Sequence, residues 1–208
     1  MKTVNPCKVV TGRNTVMSYL NVNEPKVNPS GGLPKYSVSA IIPKSDTVTV
    51  DKIRTAIRAA YEEGRDKLRD PDGTVPVLRE LKIPLRDGDL EHPGDEVYRN
   101  AWFINASSTS RPGVVNGNLV PITDTSQLYS GIIGRVSMTF YAFNVNGSRG
   151  IAAGLNNIQK LADGRPSAPA AAPRMTSPTP PIRTTNAEYP SNFQTSERAY
   201  PMPERKQP

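Results

Sequence analysis

The segment GRVSMTFYAFN, residues 134–144, changes side-chain character at every second position. A period of two is that of a β-strand whose two faces meet different surroundings. One face carries ordinary core residues, namely Val136, Met138, Phe140 and Ala142. The other face carries a cation, two hydroxyl groups and two aromatic rings, namely Arg135, Ser137, Thr139, Tyr141 and Phe143. The segment therefore predicts a sheet with one buried face and one face that presents rings and charge.

Other segments also have the character of strands. Residues 7–22 predict a long strand bent at Gly12, and residues 35–42, KYSVSAII, alternate cleanly. A third strand is predicted within YRNAWFINAS, residues 98–107. The Asn-Gly pair of VVNGNLV is a strong hairpin signal. A last strand follows the turn FNVNGSRG and runs to about Leu161.

One long helix is predicted between the second and third of these strands. The segment DKIRTAIRAAYEEGRDKLRD, residues 51–70, has apolar residues at helical spacing, and Ser45 or Asp46 can cap it. Five or six strands with one substantial α-helix predict a mainly β fold, an OB-like barrel that is closed or partly open, since closure removes sticky strand edges. An open sandwich is the alternative.

The composition changes near residue 164. Ten of the 21 prolines follow Arg165, with almost no aliphatic side chains. Such a segment cannot bury enough apolar surface to offset the entropy of ordering it. We predict one folded domain over residues 1–164 and a disordered Pro-rich tail over 165–208. The tail is either a spacer or an arm that binds a partner through sparse aromatic anchors.

The chain is basic, with a formal net charge of +7 and a pI of about 9.6. A positive chain meets nucleic acid, an anionic membrane or an acidic protein. No apolar run approaches the roughly 20 residues of a membrane span, and the start of the chain has no signal-peptide pattern. A single cysteine and a single histidine argue against an internal disulfide and a zinc site. The expectation is a soluble intracellular protein without cofactor or metal.

Charge is distributed unevenly along the predicted domain. Residues 62–96 hold eleven of its sixteen acids, so the remainder has a net charge of +9. In that remainder the bases alternate with aromatic residues along the strands, as at Lys35–Tyr36 and Arg135–Tyr141. Cations neutralise the phosphates of an unpaired strand, and flat rings stack on its bases. The pattern favours binding of single-stranded rather than double-stranded nucleic acid, because no helix has a basic, base-reading face.

Strand alternation and charge select the residues expected to contact nucleic acid. The predicted phosphate contacts are Lys35, Arg99, Arg111, Arg135 and Arg149. The predicted base contacts are Phe103, Tyr141 and Phe143, together with Trp102 and Tyr36. The last two share strand parity with core residues, and Phe103 is expected to point outward if Trp102 points into the core.

Two functions of other classes remain open. The loop PLRDGDLEHPGDE could hold Mg²⁺ or Mn²⁺ for phosphodiester cleavage, which would make the chain a nuclease or resolvase, although its spacing differs from an EF-hand loop. The aromatic face could instead meet protein in a virion or scaffold. His92 is expected to be an exposed histidine and Cys7 a small strand residue. No P-loop motif supports ATP binding.

Six blocks in order resemble a phage family of single-stranded DNA-binding proteins with an OB fold. They are KVVTGRNTVMSYLNVNEP, KYSVSAIIPKSD, IPLRDGD with DEVYRNAWFINASS, RPGVV, YSGIIGRVSMTFYAFN and GIAAGLNNIQKLADG, over roughly residues 7–165. The resemblance implies a non-enzymatic protein that coats phage DNA during replication and recombination in the host cytoplasm. The resemblance identifies no contact residues, and it leaves open both a homo-oligomer and replication or recombination proteins as partners of the tail. The tail departs from the usual acidic end of such proteins, since it has six Lys and Arg against three Glu.

Overall fold

The computed structural model describes residues 5–27, 32–70, 72–145 and 147–166. Two 3-10 turns cover Leu78–Glu80 and Thr125–Gln127. The other elements, in chain order, are β1 (Lys8–Val10), β2 (Thr15–Lys26), β3 (Lys35–Pro43), α1 (Thr47–Glu63), α2 (Arg65–Leu68), β4 (Arg86–Asp87), α3 (Gly88–Glu91), β5 (Ala101–Ser108), β6 (Gly113–Val115), β7 (Ile133–Val145) and β8 (Ser148–Ala162).

Five strands close into a barrel. Strand β2 pairs with β3, β3 with β5, β5 with β8 and β8 with β7, and β7 returns to β2. The β5–β8 pair is parallel, and the other four pairs are antiparallel. This is the order of the five-stranded Greek-key OB barrel. The predicted mainly β, OB-like barrel with one substantial helix is confirmed. Strands β1 and β6 extend the sheet along β7 and β8.

The barrel interior is filled by the residues that alternate along the strands. On β7 the buried residues are Val136, Met138, Phe140 and Ala142, as the sequence predicts. Helix α1 covers one end of the barrel and contributes Val50, Ile53, Ala56, Ile57 and Ala60 to the same core. Asp46 caps this helix, because its carboxylate accepts a hydrogen bond from the Thr49 amide at 3.1 Å. The helix ends at Gly64, where any Cβ would collide with Ala142 of β7.

Four sequence-based predictions differ from the structure. The predicted helix 51–70 begins at Thr47 and ends at Glu63, and the short helix α2 follows it. The predicted strand 7–22 is two strands, since the chain turns between Val10 and Thr15. The predicted strand 98–107 starts only at Ala101, because Asn100 has a φ of +52° and ends a turn. The Asn-Gly turn exists, but β6 before it pairs with β8 in parallel and forms only one bridge across the turn, Val115 to Pro121.

The end of β8 brings the described chain to Pro166. The predicted disordered tail therefore lies, from residue 167 onward, outside the described residues, and the domain boundary stays a prediction. None of the helices in the described ranges has the length and apolar character needed to cross a membrane.

Cys7 should react slowly with alkylating reagents in the folded protein. It is buried beside the barrel core, and burial, with the neighbouring Glu63 carboxylate adding to it, raises the pKa of the thiol to about 11. Because the thiolate is the reactive form, little nucleophile is present at pH 8. We expect iodoacetamide to label Cys7 at pH 8 only after denaturation. Rapid labelling of the native protein, measured by mass spectrometry, would contradict this burial.

Candidate nucleic-acid interface

The outward-facing residues of the barrel strands form one continuous surface. The strand registers align Ser37 of β3 with Ser107 of β5, Ser107 with Gly154 of β8, and Gly154 with Thr139 of β7. Beyond Thr139 the register continues to Lys8 of β1. Neighbouring strands lie about 4.8 Å apart, so Ser37 and Thr139 are separated by about 14 Å along the sheet. Side chains in this row are small or polar, which leaves the surface open.

A groove of about 740 Å³ lies at one end of this surface, over β2, β3 and β5. Its floor is formed by hydroxyl and amide side chains, including Ser37, Ser39, Asn105 and Ser107. Its other lining residues include two lysines, an arginine, two tyrosines and exposed apolar residues, namely Lys26, Lys35, Arg86, Tyr19, Tyr98, Val27 and Leu33. Apolar and aromatic surface beside positive charge suits a polyanion with flat bases.

Tyr19 owes its position in this groove to an irregularity of β2. The β2–β3 register shifts between Ser18 and Asn21, and Tyr19 has a φ of +46°. A left-handed conformation is unfavourable for a residue with a Cβ and tends to occur where a functional surface requires it. Tyr19 is 39% exposed, and the Asn21 side chain donates a hydrogen bond to the Tyr19 carbonyl oxygen at 3.0 Å. The bulge thus presents a ring on the groove wall.

Phe103 is buried, so the prediction that its ring points outward to stack on a base is wrong. The residue is 1% exposed and packs in a small second core with Ile41, Tyr98 and Ala101. Its ring meets the edge of the Tyr98 ring at 5.1 Å. The guanidinium of Arg86 covers it at 4.3 Å. Strand parity correctly predicted that Phe103 and Ile104 point to opposite faces of the sheet. The segment around Tyr98, however, folds back over the face on which Phe103 lies.

His92 and Tyr98 form the wall of the groove above this second core. The two rings stack with centroids 4.1 Å apart, so His92 is half-buried and not the free, exposed histidine that the sequence suggested. The Tyr98 hydroxyl donates to Ser39 Oγ at 3.2 Å, and burial raises the pKa of this tyrosine. Arg86 lies over the Phe103 ring next to this wall, and Glu91 pairs with its guanidinium.

Tyr141, Phe143 and Arg135 lie on the outward face of β7, as predicted. Tyr141 is 44% exposed, and its ring lies against Gly154 of the neighbouring strand. Phe143 and Arg135 are half-buried. The Nε atom of Arg135 is buried and has no hydrogen-bond partner among the described residues. Of these three side chains, only that of Tyr141 is exposed on the outward face of β7.

Lys35 and Tyr36 begin β3 on the groove side of the barrel, whereas Arg111 lies in a loop and does not line the groove. Lys35 is exposed at the start of β3 and lines the groove, whereas Tyr36 is half-buried on the neighbouring position. Arg111 is exposed in the loop between β5 and β6. The sequence interpretation thus placed Lys35 correctly on an accessible surface, and Tyr36 follows the core parity of Val38.

Arg99, Arg149 and Trp102 are not part of this surface. Arg99 stands in the turn before β5 and pairs with Glu96 at 3.4 Å. Arg149 pairs with Asp70 and donates to the Leu68 carbonyl oxygen, which fastens the β7–β8 hairpin to the chain after α2. Trp102 packs against the main core, with the cations of Lys44 and Arg54 above its ring at 5.3 and 5.6 Å. In the structure these three residues have structural partners.

The acidic loop 87–96 is also committed to structural contacts. Asp87 and Asp89 both bind the ammonium group of Lys44 at 2.7 Å, and Glu91 pairs with Arg86 at 3.1 Å. The Lys44 contact, followed by the Asn100 amide, lowers the pKa of Asp89. Within the described part of the chain, no group of three or more His, Cys, Asp or Glu residues is arranged to hold a metal ion. Ion pairs to Lys44 and Arg86 therefore hold this loop in place.

Sequence reasoning missed most of the groove. Tyr19 belongs to a bulge that shifts its strand register, Tyr98 lies in a turn that the sequence suggested was a strand, and Arg86 sits in the acidic loop. Leu33 also lines the groove and is 73% exposed, and no pattern in the sequence identified it.

One family model matches most of the chain. Residues 7–175 match a family described as the ssDNA-binding protein of Enterobacter phage Enc34. A protein p50 of Acyrthosiphon pisum secondary endosymbiont phage 1 is 29% identical over 155 residues, which cover 73% of this chain and 82% of that protein.

Solved structures share the fold. The Enc34 single-stranded DNA-binding protein in complex with ssDNA has a TM-score of 0.63 at 22% identity, covering 81% of this chain and 97% of that one. Its C-terminally truncated form has a TM-score of 0.64 at 21% identity, over 80% and 95%. The single-stranded DNA-binding protein gp2.5 of bacteriophage T7 has a TM-score of 0.52 at 15% identity, over 79% and 97%.

Proposed function

The chain belongs to the phage family of the Enc34 ssDNA-binding protein, and on that premise we propose that it binds single-stranded DNA across the outer face of its barrel. The DNA enters the groove over β2, β3 and β5 and crosses β8 to Tyr141 on β7. The observation that carries this proposal is the unbroken row of small and polar side chains that joins the groove to Tyr141. OB barrels use this face for oligonucleotides.

Each chemical feature of an unpaired strand has a counterpart on this face. Lys26 and Lys35 supply positive charge at the groove. Tyr19 and Tyr141, the two exposed rings at opposite ends of the path, can replace the stacking that a base loses without its complement. The hydroxyl and amide groups between them can form hydrogen bonds of either polarity, which favours binding without sequence preference.

Preference for the single strand tests this function. We expect fluorescein-labelled oligo-dT to bind more tightly than a duplex of equal length, because paired bases cannot reach Tyr19 and Tyr141. Fluorescence anisotropy at one salt concentration measures both affinities. Equal affinity, or no binding of either, would contradict the proposal and favour the scaffold interpretation.

Binding is proposed to occur without a chemical step. The carboxylates of loop 87–96 that would hold Mg²⁺ in a nuclease already neutralise Lys44 and Arg86. End-labelled oligo-dT incubated with the protein and Mg²⁺ or Mn²⁺ should stay intact. Cleavage that Asp87→Ala abolishes would replace the binding function by a nuclease. Protection of exposed DNA during phage replication and recombination in the host cytoplasm is the biological role that we propose for this binding.

Lys35→Gln should reduce the salt dependence of binding. Each phosphate that a cation neutralises contributes about −0.7 to the slope of log K against log salt for a single strand. Because Lys35 is exposed at the groove, its loss should make the slope less negative by up to about 0.7. Lys52→Gln is the matched control, since Lys52 is exposed on helix α1 and does not line the groove. A slope change with Lys52→Gln but not Lys35→Gln would contradict the proposed path.

A further inference from the structure

Strand β8 has only very small outward-facing residues where the proposed path crosses it. Its outward positions beside Tyr141 are Ala152 and Gly154. Gly154 has Ser107 of β5 on one side and Thr139 of β7 on the other. The row therefore carries no side chain on β8 between Ser107 and Thr139.

The backbone does not explain why this position is a glycine. Gly154 has no positive φ, in contrast to the turn residue Gly147 at +75°. Glycine inside a strand weakens the strand and often marks a place where a ligand or another chain approaches closely. Another residue could adopt the same backbone, so the effect of a side chain at position 154 depends on the space above the strand.

That space is partly taken by the Tyr141 ring. A Cβ atom at position 154 would lie 3.5 Å from Cε1 of Tyr141 and 3.4 Å from the carbonyl oxygen of Thr139. A methyl group fits at these distances, but the additional carbons of a branched side chain would compete with the ring for the same surface. Tyr141 leans over β8 and is still 44% exposed, so part of its ring remains accessible to a ligand.

We propose that Gly154 is a positioning residue for DNA binding, which holds the Tyr141 ring close to the sheet and keeps the passage from the groove to that ring open. This inference rests on the proposed single-stranded DNA binding and adds a specific requirement to it. The bare strand lets the nucleic acid approach the backbone of β8, and the ring lies beside it as a platform for the next base.

A double-mutant cycle tests the inference. The variants are Gly154→Val, Tyr141→Ala and the double variant, with oligo-dT affinity measured by anisotropy and folding by circular dichroism. Valine suits a β-strand, so the fold should persist. We expect Gly154→Val to weaken binding by about 5- to 150-fold, the range for loss of one base stack. Adding Tyr141→Ala should cause little further loss, because the ring is already displaced.

Two controls separate the possible outcomes. Gly154→Ala should bind like the wild type, since a methyl group fits. Gly117→Val adds the same side chain at a turn glycine whose Cβ would have only Leu161 nearby, at 3.9 Å, and should not change affinity. Wild-type affinity for Gly154→Val, or losses that multiply in the double variant, would overturn the positioning role while leaving DNA binding intact. Failure of the wild type to bind oligo-dT would overturn the proposed function itself.

Discussion

Replacing Phe103 by alanine is expected to lower the free energy of unfolding by about 3–5 kcal/mol. The side chain is 1% exposed, and its ring fills the second core beneath Tyr98. Truncation removes buried apolar surface and leaves a cavity below the His92–Tyr98 stack, which forms the groove wall. A change of this size is a large fraction of the 5–15 kcal/mol typical of a folded domain. Urea denaturation followed by Trp102 fluorescence measures it.

Phe103→Leu is the matched control for this prediction. Leucine keeps most of the apolar volume, so stability should fall far less than with alanine, and oligo-dT affinity should stay at the wild-type value. Loss of DNA affinity in Phe103→Leu, without loss of stability, would show that the ring acts as a stacking surface after all.

Replacing Tyr141 by alanine should weaken binding of oligo-dT by about 1–3 kcal/mol, the contribution of one stacked base. Because the ring is 44% exposed on the outside of the barrel, its removal should change stability by only about 0.5 kcal/mol. The substitution removes no charge, so the slope of log K against log salt should not change. Anisotropy titrations at two salt concentrations give both quantities.

The variant Tyr141→Phe distinguishes the contribution of the hydroxyl group to binding from that of the aromatic ring. If stacking is the interaction, phenylalanine should restore wild-type affinity, since it keeps the flat surface. Equal losses in Tyr141→Phe and Tyr141→Ala would instead assign the contact to the hydroxyl, and a changed salt slope would argue against stacking.

The sequence predicted those features that depend on local periodicity. The alternation from Arg135 to Phe143 correctly gave the buried and outward faces of β7, and Asp46 correctly began helix α1. Apolar periodicity succeeds here because β7 is a long strand with one side against the barrel core. The closure of the barrel followed from strand number and the cost of open edges.

The sequence failed where contacts between distant segments decide the environment. Phe103 has the parity of an outward residue, yet the turn that ends at Asn100 places Tyr98 over it. Arg149 looks like a free cation at a hairpin tip, but Asp70, far away in the chain, neutralises it. Tyr19 enters the groove through a bulge whose position no alternation pattern reveals. Charge and period give candidates, and only the packing of turns and loops decides which of them remain accessible.

Photocrosslinking tests most directly whether the nucleic acid runs along the path described. An oligo-dT in which single positions carry 5-iododeoxyuridine forms covalent bonds to aromatic residues that stack on the modified base, and peptide mass spectrometry locates them. The account predicts crosslinks to Tyr141 and Tyr19, at the two ends of the small-residue row on the barrel. Crosslinks confined to Trp102 or to Tyr61 on helix α1 would place the DNA on another surface and contradict it.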